Sequence, residues 1–161
     1  MIELEKKILT EKNLANLAEN RKSPLIWTNG CFDLIHTGHI NYLLACKKLG
    51  GELIIGINTD DSVKKLKGDQ RPILPLTDRI QHLAAFFFVD YIFPFSEETP
   101  LKWIKKLKPD FLVKGGDYQI QDIVGYTEVL AYGGKVKTIP MVPGKSTTSI
   151  IDKILESYDK S

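Results

Sequence analysis

At 161 residues the chain suits one domain with a sizeable core, and 22 Lys and Arg against 20 Asp and Glu leave a formal net charge of +2. That balance, with no long block of one sign, weighs against a nucleic-acid coat or a membrane-surface module, both of which concentrate basic charge on one face. No apolar stretch approaches the ~20 residues of a membrane-spanning helix, and Cys31 and Cys46 are spaced for neither a zinc site nor a disulfide scaffold. The start shows no signal-peptide pattern, so the expectation is a cytoplasmic protein with reduced thiols.

In chain order, residues 3–20 read as one amphipathic helix, with Leu4, Ile8, Leu14 and Leu17 set among Lys, Glu and Asn. Leu25-Ile26-Trp27 is a short apolar strand that ends in a glycine-containing loop. Ile40, Leu43 and Leu44 begin a helical stripe that stops at Gly50-Gly51. Leu53 to Ile57 is almost wholly apolar, as a strand covered on both faces should be. A helix is expected from about Asp60, then a basic, proline-containing loop from Lys67 to Pro75. Thr77 or Asp78 would cap the next helix, with Ile80, Leu83, Ala84 and Phe87 on one stripe. Tyr91 to Phe93 is a third strand. Thr99 as cap and Pro100 as first residue open a helix that buries Leu101, Ile104 and Leu107. Phe111-Leu112-Val113 is a fourth strand and leads into Lys114-Gly115-Gly116-Asp117. Thr127 to Tyr132 reads as helix, Val136 to Ile139 as a fifth strand, and Ser146 to Leu155 as a final helix, with Tyr158 to Ser161 expected to fray.

Strands alternating with helices predict an α/β fold, a parallel five-stranded sheet with helices on both faces. The domain is expected over residues 24–155, after a helical extension at 1–23 and before a tail at 156–161. Ligands of such sheets bind beyond the carboxyl ends of the strands. The polar and glycine-rich loops fall there, after Trp27, Ile57 and Val113.

Chemistry is densest from Thr28 to His39, which reads TNGCFDLIHTGH. His36 and His39, at a strand-to-helix junction, place two N–H donors beside the positive end of the helix, where backbone N–H groups already favour phosphate. Gly30 and Gly38 let phosphate oxygens approach the main chain. Transfer of a nucleotidyl group suits this set. An ionised phosphate can attack the α-phosphorus without a strong base, and the need is for donors where charge builds. A histidine pair at this spacing also fits an incidental pair or part of a metal site. Zinc would want further ligands, though, and the remaining histidine, His82, lies in a helical stripe and reads as structural or exposed. Cys31 fits as a small residue packing under the loop. No resident metal site is expected.

Lys64, Lys65, Lys67 and Arg71 gather cations before Pro72, and Arg79 opens the following helix. Lys64 and Lys65 read as a solvated face. Lys67 and Arg71 stand in a stretch that glycine and proline hold. Lys114 and Asp117 emerge at the ligand edge of the sheet, where they either hold a sugar phosphate or pair with each other. Ser146, Thr147 and Thr148 read first as helix caps whose hydroxyls and backbone N–H groups also point towards phosphate.

Thr28 to His39 resembles the H-x-G-H motif of the cytidylyltransferase-like nucleotidyltransferase superfamily, in the variant with Gly-x-Phe-Asp ahead of the histidines. That variant occurs in glycerol 3-phosphate cytidylyltransferases and in heptose 1-phosphate adenylyltransferases. KGDQRPILPLTDR and LVKGGDY are similar to the second group, and the Ser146 run resembles the superfamily's I-S-S/T-T motif. Ahead of that run the chain departs from the cytidylyltransferases, with Val142-Pro143-Gly144-Lys145 where they carry Arg-Thr-Glu-Gly; Lys145 partly replaces the lost charge.

The resemblance covers residues 24–155 and implies a Rossmann-like domain that moves AMP from ATP to D-glycero-β-D-manno-heptose 1-phosphate, with magnesium accompanying the triphosphate. It implies catalytic roles for His36, His39 and Lys67. Nucleotide binding would fall to Thr28, Asn29, Gly30, Cys31, Phe32, Gly38, Arg71, Ser146, Thr147 and Thr148 beside the histidines. Substrate binding would fall to Asp33, Lys67, Arg79, Lys114, Gly115, Gly116 and Asp117. A homodimer is expected, with ATP and a sugar 1-phosphate as partners and neither nucleic acid nor membrane. In many bacteria this activity is half of a bifunctional protein with a sugar kinase, and the 161 residues read as a free-standing adenylyltransferase. The rivals are a CTP-dependent enzyme acting on a polyol phosphate and a nucleotide-binding module without turnover.

Overall fold

The structure is a computed structural model that describes residues 4–116 and 118–158. Its elements run α1 (Glu11–Asn20), β1 (Leu25–Gly30), α2 (Thr37–Lys47), β2 (Glu52–Asn58), α3 (Asp60–Lys67), α4 (Leu76–Ala84), β3 (Tyr91–Phe95), α5 (Leu101–Leu107), β4 (Phe111–Gly115), α6 (Tyr126–Ala131), β5 (Lys135–Ile139) and α7 (Thr147–Tyr158). The five strands form one parallel sheet in the order β3-β2-β1-β4-β5. This is the parallel α/β sheet the alternation predicts and the Rossmann-like architecture the resemblance implies.

Strand side chains alternate between two cores, one on each face of the sheet. Ile26, Leu53, Ile55 and Ile57 pack with Leu43 and Cys46 of α2 and with Ile80 and Leu83 of α4. Leu25, Trp27 and Ile54 pack on the other face with Leu14, Trp103, Ile104 and Val129. No helix among the described residues is long and apolar enough to cross a membrane.

The strand order reverses between β1 and β4, and there the ladder is short. Only Ile26 with Phe111 and Trp27 with Leu112 are paired, whereas β1 and β2 pair from Leu25 through Gly30. Beyond Trp27 the two central strands are no longer bonded to each other, which opens a crevice at their carboxyl ends. That is the place where open α/β sheets bind ligands.

Three expected elements come out differently. The helix expected over 3–20 is broken into a 3-10 turn at Leu4–Lys7 and α1. Between them Ile8 bridges Ile92, and the Leu9 N–H donates to the Ile92 carbonyl at 2.8 Å, so the chain crosses the β3 edge of the sheet. Leu4 and Ile8 therefore pack on one face and Leu9, Leu14 and Leu17 on the other. Thr10, accepting from the Asn13 N–H at 3.2 Å, caps α1. Second, α4 opens after Pro75, whose carbonyl takes the Asp78 and Arg79 N–H groups, so Thr77 and Asp78 lie inside the first turn and do not cap it. The helix ends at Ala84, and Lys7 donates to the Ala84 and Phe86 carbonyls there at 2.9 and 2.8 Å. Phe87 is thereby turned out, 89% exposed, while Phe88 is buried. Third, Pro100 is the N-cap residue of α5, so the expected Thr99 cap falls one position early.

Candidate functional site

A cavity of about 630 Å³ lies over the carboxyl ends of β1, β2 and β4. Asn29 to Asp33, His36 and His39 form its floor. Asn58, Lys67, Arg71, Lys114, Lys145 and Ser146 to Thr148 also line it. Segments more than a hundred residues apart in sequence thus bring four cationic side chains and two imidazoles around one space.

His36 is the residue from which α2 springs, in extended backbone geometry and with no side-chain cap. Its ring stacks on His39 with centroids 3.9 Å apart and planes at 24°. Phe32, held at φ 45° in the left-handed region that side chains rarely adopt, sets its ring 5.3 Å from His39. A Cβ at Gly38 would stand 2.9 Å from the His36 ring and 3.3 Å from Lys145 Cβ, so glycine there makes room for both. The Nδ1 atoms of His36 and His39 are buried without a hydrogen-bond partner. Buried polar atoms are usually paired, so each of these two can take a partner from water or a ligand.

Burial, with Lys145 nearby, pushes the His36 pKa below its ordinary value. Burial and then His36 push His39 down to about 4, against a smaller upward pull from the Leu34 backbone. Both rings are therefore neutral at neutral pH and donate as imidazoles. An unfolded histidine titrates near ~6.5, so between that pH and about 4 the unfolded chain holds more protons than the folded one at His39. The stability contributed by neutral His39 is complete above ~6.5 and falls as the pH drops towards 4. Thermal melts across this window should show a shallower pH slope for His39→Gln than for the unmodified chain. Equal slopes would contradict the depressed pKa.

Asp33, 2% exposed, accepts from Arg71 Nε at 2.7 Å and from the Ile73 and Leu74 N–H groups at 2.9 Å. Burial raises its pKa, but the Leu74 and Ile73 N–H groups and Arg71 outweigh that and hold it below the usual carboxylate value. Lys67 ends α3 and reaches the cavity, while Lys64 and Lys65 are exposed as expected. Lys114 donates to the Asn29 carbonyl at 3.2 Å, bridging β4 to β1 where their ladder has stopped. Burial, with Lys67 nearby, lowers its amine pKa. Ser146 accepts from the Ser149 N–H at 3.0 Å, the capping role expected of it, and still faces the cavity.

Several expected site residues stand elsewhere. Arg79 is fully buried behind the cavity. Its Nε donates to Leu74 O (3.1 Å), Nη1 to Cys31 O (2.5 Å), and Nη2 to Asn58 O (2.9 Å) and Asp60 Oδ1 (2.7 Å). It ties the ends of β1 and β2 to the basic loop, with four of its five N–H donors engaged inside the protein. Thr28 is also fully buried and shares a 2.6 Å hydrogen bond with the Tyr42 hydroxyl. Asp33 touches the cavity, but its carboxylate serves the loop. Gly38 and Gly116 are outside the lining; the Gly116 N–H donates to Ile139 O at 3.0 Å. Gly115 borders a side chamber of about 160 Å³, where a Cβ would meet Met141 Sδ at 2.8 Å and the Tyr42 ring at 3.1 Å. Asp117 lies outside the described residues.

The sequence reading missed Asn58, Glu98, Thr99, Tyr118, Asp122 and Met141 as cavity residues. Glu98 and Met141 follow the ends of β3 and β5, so the strand-end rule applied to those strands as well would have found them. His82 is exposed on α4, away from the site. No group of three or more metal-ligating side chains occurs among the described residues.

A family model for cytidylyltransferase-like domains matches residues 27–153. The bifunctional protein HldE of Citrifermentans bemidjiense is 50% identical over 153 residues, 91% of this chain and 31% of that protein. The bifunctional protein HldE of Syntrophotalea carbinolica is 43% identical over 162 residues, 99% of this chain and 33% of that protein. The chain spans about a third of the length of the curated relatives it matches. Among solved structures, the lipopolysaccharide core biosynthesis protein from Thermoplasma volcanium aligns with a TM-score of 0.61 at 28% identity, over 74% of this chain and 97% of that one. Pantoate-beta-alanine ligase from Francisella tularensis aligns with a TM-score of 0.62 at 15% identity, over 96% of this chain and 79% of that one, which is a likeness of fold alone.

Proposed function

Because the chain belongs to the cytidylyltransferase-like family, we propose that it transfers AMP from ATP to D-glycero-β-D-manno-heptose 1-phosphate, giving ADP-heptose and pyrophosphate. The observation that carries this reading is the stacked, neutral His36/His39 pair at the start of α2, with both Nδ1 atoms unpartnered and Lys67, Arg71 and Lys145 on the same cavity.

In this reaction an oxygen of the acceptor phosphate bonds to the α-phosphorus while the bond to pyrophosphate breaks. The attacking phosphate is already ionised, so no base is needed, and the barrier lies in charge on the α-phosphate and the departing pyrophosphate. The imidazoles and the N-terminus of α2 donate to those oxygens, and Lys67, Arg71 and Lys145 offset the leaving charge. Lys114, at the crevice between β1 and β4, is assigned to the incoming acceptor phosphate, where an ammonium reduces repulsion between two anions. The heptose assignment rests on the HldE relatives at 43–50% identity, on the Thermoplasma lipopolysaccharide core neighbour and on the KGGDY-type loop.

Magnesium accompanies the triphosphate in this reading. Among the described residues the cavity carries scattered carboxylates and no cage of ligands, which fits a cation held chiefly by phosphate oxygens and water. Family resemblance further supports a homodimer and a cytoplasmic setting.

ATP and CTP should be offered in turn with the heptose 1-phosphate and with glycerol 3-phosphate, scored by pyrophosphate release. ATP with the heptose phosphate should be fastest. Equal or greater release with CTP and glycerol 3-phosphate would move the chain to the cytidylyltransferases. Absence of release in every combination would leave a binding module without turnover.

A further inference from the structure

Arg71 stands in the cavity wall with its Nε spent on Asp33 at 2.7 Å. A guanidinium offers five N–H donors in a fixed fork. Tying Nε back leaves the two terminal nitrogens, which have no partner among the described residues and are free for a cavity ligand. Two N–H groups in one plane suit phosphate oxygens, which arginine grips in pairs.

The other end of the contact is rigid. The Asp33 side chain is 1% exposed, and besides Arg71 it holds the N–H groups of Ile73 and Leu74. Turning this carboxylate towards a ligand would release all three donors inside the protein, each at the cost of a buried unpaired group. Asp33 is therefore unsuited to bind substrate, although it borders the same cavity. The loop it grips begins where Gly68 ends α3 and leads into α4, so one carboxylate fixes the loop's path and the aim of its arginine together.

We infer that Asp33 is a positioning residue for the nucleotide. It holds Nε and the loop backbone so that the terminal fork of Arg71 meets the triphosphate, and it never touches the substrate itself. Lysine at position 71 would keep the charge but could not both bond Asp33 and present a fork. The inference rests on the nucleotide reading above but not on turnover or on the identity of the acceptor.

The test is a double-mutant cycle read by equilibrium titration with magnesium ATP, below the melting temperature of every variant. Asp33→Asn and Arg71→Lys should each weaken ATP binding about tenfold or more. The double variant should be no weaker than the worse single one, because both changes break one device. Independent, multiplying losses would overturn the inference. So would Asp33→Asn that melts earlier yet binds ATP normally, since Asp33 would then be structural only. Should Asp33→Asn fail to fold, Arg71→Lys decides alone, and near-native ATP affinity in it would sink the idea. Absence of ATP binding by the unmodified chain would overturn the nucleotide reading itself and this inference with it.

Discussion

Replacing His36 or His39 with alanine should lower turnover about 100-fold or more while the fold survives. A 100-fold loss corresponds to about 2.7 kcal/mol of transition-state stabilisation. That is the amount one preorganised donor supplies where charge develops. The geometry supports a loss in rate rather than in folding. Both Nδ1 atoms lack a partner, and the rings contact each other, Phe32 and the cavity. Removing a ring therefore deletes no hydrogen bond that the free protein makes through Nδ1. Burial keeps both rings uncharged before substrate binds, so each can gain interaction as the phosphates become more negative. Steady-state kinetics at saturating ATP and acceptor, with melts on the same samples, check this. Near-native turnover in either variant would remove that histidine from the mechanism.

Arg79→Met should be the most destabilising single change near the site, at about 3–5 kcal/mol, the usual cost of breaking a buried, hydrogen-bonded charge. For a domain of this size that lowers the melting temperature by roughly 10 °C. The guanidinium has no exposure and serves three carbonyls and Asp60. Its loss leaves the Cys31, Asn58 and Leu74 carbonyls short of a donor where β1, β2 and the basic loop meet. Asp60 is 39% exposed and can turn to water, so the penalty falls mainly on the carbonyls. The resemblance assigns Arg79 to a phosphate instead, and the two ideas diverge cleanly. A phosphate ligand, once replaced, would leave the melting temperature unchanged and weaken binding of ATP or of the acceptor phosphate. That result would favour the phosphate role over the structural one.

The sheet was legible in the sequence because its strands are short apolar runs between turn residues, and a strand buried on both faces must read so. Their ends were not. Thr28, Asn29 and Gly30 look like loop, yet they extend β1 because β2 continues beside them as far as Ile57 and supplies the hydrogen bonds. The break in the N-terminal helix was hidden for a related reason. Leu4, Ile8, Leu14 and Leu17 keep a helical spacing, but the first two and the last two cover opposite faces of the sheet. Local periodicity cannot show a chain rounding an edge. Within the site, the histidine pair is visible from spacing, and Lys145 from its place where the cytidylyltransferases carry Arg-Thr-Glu-Gly. The internal partners of Asp33 and Arg79 were hidden because both are charged residues bonded to backbone groups distant in sequence. A charged side chain beside a glycine-rich loop reads as a ligand until its own partners are counted.

In the proposed reaction an acceptor phosphate attacks the α-phosphorus and pyrophosphate leaves. Phosphorus NMR of one reaction containing ATP, magnesium and heptose 1-phosphate follows every phosphorus at once. Nucleotidyl transfer gives pyrophosphate and a new nucleoside diphosphate sugar in equal amounts, each growing as acceptor phosphate and ATP decline together. ADP with a doubly phosphorylated sugar would contradict it, since attack would then fall on the γ-phosphorus, and so would AMP with pyrophosphate and an unconsumed acceptor.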